Sequence, residues 1–248
     1  MGAVTVITSG KGGVGKSTIS AGLGLALANR GRRVLLMDCD AGLGCLDHML
    51  GITEHQVFDL SDIISGRAEP ADAVYASPLA PSLFLLPAPA SQEDVVSPEI
   101  MKQLTDAFSK YYDHVLIDSP AGVGSGFTSA VAAAQRALVV STPDPVCLRN
   151  ANKTRQVLAQ SGMTQQRLII NRFSSHNFKL QGFYPDLDTV IDTAGIRLIA
   201  VIPEDPLLAA AAARSEAAPQ HSPGALAFGR LAARLEGEQV PLAPLQKF

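Results

Sequence analysis

Residues 10 to 17 read Gly10-Lys11-Gly12-Gly13-Val14-Gly15-Lys16-Ser17, a complete G-x-x-x-x-G-K-S string. Glycines at these positions let the backbone take positive φ and bring successive N–H groups against phosphate oxygens. A helix starting where the string ends adds its partial positive charge at the same spot. Lys16 can reach β- and γ-phosphates, and the Ser17 hydroxyl suits Mg²⁺, a hard ion that prefers oxygen ligands. The chemistry implied is the binding of a nucleoside triphosphate with magnesium, with residues from Gly10 through Thr18 cradling the phosphates.

Such a string carries weight only between a strand and a helix, and the flanking residues supply both. Val4-Thr5-Val6-Ile7 is a continuous, largely β-branched run of the kind a buried parallel strand requires, and Ile19, Leu23 and Leu27 recur at helical spacing over residues 18–29. The same rhythm continues along the chain. The apolar run 33–37 stops at Asp38, 83–86 at Pro87 and 114–117 at Asp118; 137–140 runs into Ser141, 168–170 into Asn171 and 198–202 into Pro203. Helical patterns fill 98–109 and 146–160. The fold class expected is therefore α/β, a mostly parallel twisted sheet flanked by helices, with polar residues at the strand C-terminal ends where open α/β sheets bind ligands. The segment 171–184 carries Phe173, Phe178, Phe183 and Tyr184 without a clean period and is expected to be a loop or irregular insertion, while the alanine run 209–213 reads as a helix start.

A length of 248 residues with 47% apolar content suffices for one large core, so a single domain over 1–248 is expected, with a C-terminal helix and tail over about 216–248. A net charge of −3 gives no global attraction to nucleic acid or anionic lipid, and nucleic acid is not an expected partner. With no long uncharged apolar stretch and no basic-then-apolar leader, the chain is expected to be cytoplasmic. Cys39, Cys45 and Cys147 are too few and too irregular for a disulfide framework or a four-ligand zinc site, and read as reduced packing residues. The five histidines are scattered without metal-ligand pairing.

The lysine at the second loop position, Lys11, makes the string resemble the deviant phosphate loop of the MinD/ParA family of P-loop ATPases. Residues 36–47, Leu-Met-Asp-Cys-Asp-Ala-Gly-Leu-Gly-Cys-Leu-Asp, look like the family's first switch. Residues 118–122, Asp-Ser-Pro-Ala-Gly, look like its second, and 201–205, Val-Ile-Pro-Glu-Asp, resemble its adenine-side segment; the wording is closest to the MinD branch.

The resemblance implies a Mg²⁺-dependent ATPase that dimerises when ATP-bound and hydrolyses slowly. Lys16 would hold phosphates in its own subunit while Lys11 crosses to the partner's nucleotide, and both would stabilise transition-state charge as an arginine finger does. Asp40 would orient or activate the attacking water, Asp118 would hold magnesium through water, and Asp38 would stand behind the ion's own ligands. Such carboxylates also serve as helix caps or turn formers at strand ends, and that alternative stays open for all three. Asn171 and Arg172, with the backbone of Pro203, Glu204 and Asp205, would frame the adenine. No N-K-x-D string for guanine occurs, which favours ATP. The function implied is a switch that positions cell division or another cellular machine, triggered by an unidentified protein activator or cargo. Alternatives are a ParA-like DNA or cargo partitioning ATPase, a flagellar-placement relative, and a metallocentre-assembly ATPase; the last usually carries interface cysteines, often as C-x-x-C, absent here.

Three departures stand out. Cys45 occupies a position where MinD-type chains usually have Asn, and Asn150 and Asn152 fall where they carry acids. Those chains end in a basic amphipathic helix that lies on membranes. Here the helical pattern 225–235 places Phe228, Leu231 and Leu235 on one face, but Glu236 and Glu238 follow, and Pro241 and Pro244 prevent extension. This helix is expected to dock on the protein's own sheet, with peripheral attachment at the inner face of the cell membrane as the alternative.

Overall fold

The computed structural model describes residues 1–41, 44–53, 56–91 and 96–244. Gly42 and Leu43 of the first switch-like segment, and the last four residues, lie outside the described residues. The chain runs β1 (Ala3–Thr8), α1 (Lys16–Asn29), β2 (Val34–Asp38), α2 (Leu46–Met49), α3 (Leu60–Ile64), β3 (Tyr75–Ala76), β4 (Leu83–Leu86) and α4 (Pro98–Phe108). It continues with β5 (His114–Asp118), α5 (Ser125–Ala132), β6 (Arg136–Ser141), α6 (Pro145–Gln160), β7 (Gln166–Phe173), α7 (Ser175–Gln181), α8 (Leu187–Ala194), β8 (Leu198–Pro203), α9 (Pro206–Ala213) and α10 (Pro223–Leu235).

The strands form one eight-stranded sheet in the order β3-β4-β2-β5-β1-β6-β7-β8, parallel except for the short β3. Alternate residues of each strand enter opposite cores, as the two-residue strand period requires. Leu35, Met37, Val115, Ile117, Val139 and Ile170 pack beneath α4, α5, α6 and α8. Leu36, Leu116, Leu138 and Ile169 pack on the other face with Ile19, Leu23 and Leu27 of α1 and Phe228 and Leu231 of α10. Both faces are covered, so the strands read as unbroken apolar runs.

Strand order reverses around β1. The chain leaves β1 for β2 on one side, and after β5 crosses to β6 on the other. The crevice beyond the C-terminal ends of β1 and β5 is thus a topological switch point, where such sheets bind ligands. The phosphate-type loop opens there.

Three expectations change. The alanine run 209–213 is the end of a helix and not its start, because α9 begins at Pro206 behind the Asp205 cap. Residues 171–184 are not irregular: β7 runs through Phe173, and α7 follows, capped by Ser174 and ended by Gly182 at φ 60. The periodicity is hidden because α7 is a surface helix without a buried side chain. Strands β2 and β5 also extend one residue further than expected, taking in Asp38 and Asp118, which sit side by side in register. The final helix does dock on its own sheet, burying Ala227, Phe228, Leu231 and Leu235. Among the described residues no helix is long and apolar enough to cross a membrane.

Candidate functional site

Gly10 through Ser17 wrap the end of β1. Gly15 closes the loop at φ 92, a conformation other residues adopt at a cost, and a Cβ there would lie 2.3 Å from Asn171 Nδ2. A Cβ on Gly10 would fall 2.5 Å from the Asn150 carbonyl oxygen. The loop is held by its neighbours: Asn171 Nδ2 donates to the Val14 carbonyl at 2.8 Å, Ser9 Oγ donates to the Lys11 carbonyl at 3.0 Å, and Gly122 N–H donates to the Ser9 carbonyl at 3.1 Å. The last contact couples the second switch-like segment directly to the strand that feeds the loop.

Lys16 is buried beneath the loop, its Nζ 3.3 Å from Asp118 Oδ1 and 3.8 Å from Asp40 Oδ2. Asp38 lies beside Asp118 across the β2–β5 ladder and accepts the Asp40 N–H at 3.0 Å. One lysine therefore faces three carboxylates, and Asp38 and Asp118 are 3% and 0% exposed. Burial, reinforced by the Asp118 charge, pushes the Asp38 carboxyl up to about 7. Burial also raises Asp118, against the opposing pull of Lys16. Asp118 Oδ2 is buried with no hydrogen-bond partner among the described residues.

That donor set fits a divalent cation. An unpartnered carboxylate oxygen, a second buried carboxylate held near neutrality, and the Ser17 hydroxyl within reach of Asp118 supply hard oxygen ligands and a deficit of positive charge. Among the described residues no cluster of three or more His, Cys, Asp or Glu could hold a metal without help. Magnesium in phosphate sites binds through one or two protein oxygens and takes its remaining ligands from waters and substrate phosphates.

Helix capping separates this site from the rest of the molecule. Helices α3, α4, α6, α7, α8, α9 and α10 each begin with a Ser or Asp side chain accepting from a first-turn N–H. The helices leaving the loop and the two switch-like segments, α1, α2 and α5, have no such cap. At α1 and α5 the first-turn donors lack a side-chain acceptor at the cap, which is how a helix N-terminus binds an anion from outside, whereas the Leu46 N–H that opens α2 donates to the Asp38 carboxylate.

The other residues singled out from sequence take these places. Lys11 is exposed on the loop. The carboxylate that senses it is Asp144, the cap of α6: burial opposes its ionisation, but hydrogen bonds from Cys147 and Thr142 and the Lys11 charge hold it below the usual range. Asn152 faces α8, donating to the Thr193 carbonyl at 2.9 Å, and Asn150 lies under Gly10. Cys45 caps nothing and stands beside the Ser17 hydroxyl. Arg172 is exposed at φ 53 where the β7–β8 ladder is irregular. Glu204 is exposed and its N–H donates to the Phe173 carbonyl, while the Asp205 carboxylate caps α9 and accepts the Gly224 N–H at 2.8 Å. Ser9 and Asp144 were not found by motif, although the Asp144-Pro145 pair is a helix-start signal.

Comparison with known proteins places the geometry in context. A family model described as the CobQ/CobB/MinD/ParA nucleotide binding domain matches residues 5–218. The septum site-determining protein MinD of Thermotoga maritima is 39% identical over 247 residues, 98% of this chain and 91% of that protein. A chain of the MinC:MinD cell division protein complex of Aquifex aeolicus superimposes with a TM-score of 0.90 at 35% identity, covering 98% of this chain and 99% of its own. MinD of Pyrococcus horikoshii, solved with Mg-ADP, gives 0.84 at 31% identity, with 96% and 97% covered.

Proposed function

Because the chain belongs to the CobQ/CobB/MinD/ParA nucleotide-binding family, we propose that it is an ATP-driven dimerising switch of the MinD type that helps position cell division. The observation that carries this reading is the buried Lys16, held between Asp118 and Asp40 under a loop that presents a second lysine to solvent. The chain binds ATP with Mg²⁺ and hydrolyses it. A protein of the kind found with the Aquifex MinD is the partner class that suits it. Peripheral contact with the inner face of the cell membrane is compatible with a chain lacking a spanning helix among its described residues.

In this account the loop amides and the uncapped start of α1 bind the phosphates, and Lys16 turns its charge from the carboxylates toward them. Ser17 and Asp118, with Asp38 behind them, would hold a magnesium ion, which would supply positive charge to offset the charge that develops on the phosphates. Asp40, the most exposed of the three acids, accepts a proton from, or orients, the attacking water. Asn171 fixes the loop through Val14, and Arg172 with the backbone of 203–205 frames the adenine. Lys11 completes the partner's site across the dimer.

Light scattering with and without ATP tests the switch. The wild type is expected to double in mass with ATP, and Lys11→Ala to bind ATP yet remain monomeric. Asp40→Ala is expected to hold the dimer by abolishing turnover. An ATP-dependent dimer undiminished in Lys11→Ala would remove the crossing lysine from the account.

A further inference from the structure

The three thiols of the chain occupy places that differ in kind. Cys147 is buried at the start of α6 with Asp144 and Thr142 around it, and Cys39, just after β2, packs against the core. Cys45 is exposed, and its sulfur lies within hydrogen-bonding reach of the Ser17 hydroxyl. That hydroxyl also reaches Asp118, a fully buried side chain whose Oδ2 has no partner among the described residues. Sulfur, hydroxyl and orphaned carboxylate oxygen therefore converge on one point at the edge of the phosphate loop.

The backbone holds the thiol there. Cys45 precedes α2, whose Leu46 N–H donates to the Asp38 carboxylate, and a Cβ on Gly44 would lie 3.0 Å from Asp38 Oδ2. Residues on both sides of Cys45 are thus set against Asp38. A cysteine so placed is a poor nucleophile or redox sensor, because desolvation of its sulfur and the charges of Asp38 and Asp118 favour the thiol over the thiolate. A divalent cation reverses that preference by displacing the thiol proton to solvent as the metal–sulfur bond forms. Magnesium favours oxygen ligands, whereas zinc and cadmium favour sulfur.

We propose that Cys45 gives the nucleotide's cation site a soft ligand, so that the site takes a thiophilic divalent cation of the zinc and cadmium class through the Cys45 sulfur, beside Ser17, Asp118 and the nucleotide phosphates. This rests on the proposed function, since the cation enters with the nucleotide: among the described residues no cluster of three or more His, Cys, Asp or Glu could hold a metal by itself. With sulfur attached, the cation ties the start of α2 to the phosphates, a tether that magnesium does not supply.

The test is titration of Cd²⁺ and ADP into the full chain, read by the ultraviolet absorption of the cadmium–thiolate bond. The band is expected with ADP and not without it. Cys45→Ser, which exchanges one sulfur for oxygen, should remove the band and lower the preference for Cd²⁺-ADP over Mg²⁺-ADP about tenfold. In the wild type, Cd²⁺-ADP should slow alkylation of Cys45 by iodoacetamide more than Mg²⁺-ADP does, a readout that needs no variant. ADP binding with Mg²⁺ but no thiolate band, a band that survives Cys45→Ser or needs no ADP, or equal alkylation with the two cations overturns the assignment to Cys45. Failure of ADP to bind with either cation would overturn the nucleotide reading and this inference together.

Discussion

At the C-terminal end of the sheet one buried lysine faces three carboxylates; at the N-terminal end arginines outnumber the acids they hold. The first imbalance is buried, with Asp118 and Asp38 almost inaccessible and an oxygen left unpartnered. The second lies at the surface, where Glu236 takes both Arg30 and Arg32, while the more buried Arg136 keeps one nitrogen unpartnered among the described residues. Desolvated charge that the chain cannot balance costs several kcal/mol, so it persists where something from outside completes it. The capping pattern repeats the contrast, because the helices that start at the loop and switch segments are the uncapped ones.

Lys16→Ala should break the contrast most severely. It leaves Asp38 and Asp118 buried without a cation, so urea denaturation at pH 8 should show a loss of about 3 kcal/mol, shrinking in acid as the carboxyls protonate, and ATP binding should vanish. Unchanged stability would mean that the lysine does not sustain the carboxylates.

Asp38→Asn should act in the opposite sense. A carboxyl raised to about 7 in the folded state contributes stability that is fully present below its unfolded value, near 3.8, and lost as pH rises through about 7. Asp118 is raised as well and adds to the same trend. The nucleotide-free protein should therefore be less stable at pH 8 than at pH 6, and Asp38→Asn should flatten that slope while gaining about 1–2 kcal/mol at pH 8 and weakening Mg-ATP binding. A slope that survives the substitution would point to another group.

At the opposite end, Glu236→Gln should cost no more than about 1 kcal/mol in thermal denaturation by loosening Arg30 and Arg32, with ATP affinity untouched. Reduced ATP affinity there would contradict the separation of the two ends. The smallest effect belongs to Gly124→Ser. Residue 124 has an extended backbone and open space for a Cβ, so a serine cap on α5 should add only a few tenths of a kcal/mol.

Much of the fold was legible because its strands carry apolar residues on both faces and end at polar ones, as 34–38 and 114–118 do. What stayed hidden were elements stabilised by caps and contacts more than by periodicity. Helix α7 has no fully buried residue and packs only through Phe178, α2 is one turn long, and β3 is two residues paired against β4. The loop itself was legible because phosphate chemistry restricts residue type at each position. The contacts that hold it were not: the Asn171 amide on Val14, the Ser9 carbonyl under Gly122 and the Asp144 charge near Lys11 join residues distant in sequence, through groups common in any loop.

The most direct test of the central claim is isothermal titration of ATP with Mg²⁺ into the folded protein at pH 7, in two buffers of different protonation enthalpy. The account predicts one site per chain and a net release of protons, because the incoming cation ionises a carboxyl that is part-protonated in the free protein. Absence of binding heat in either buffer, or binding indifferent to Mg²⁺ and to the buffer, would contradict it.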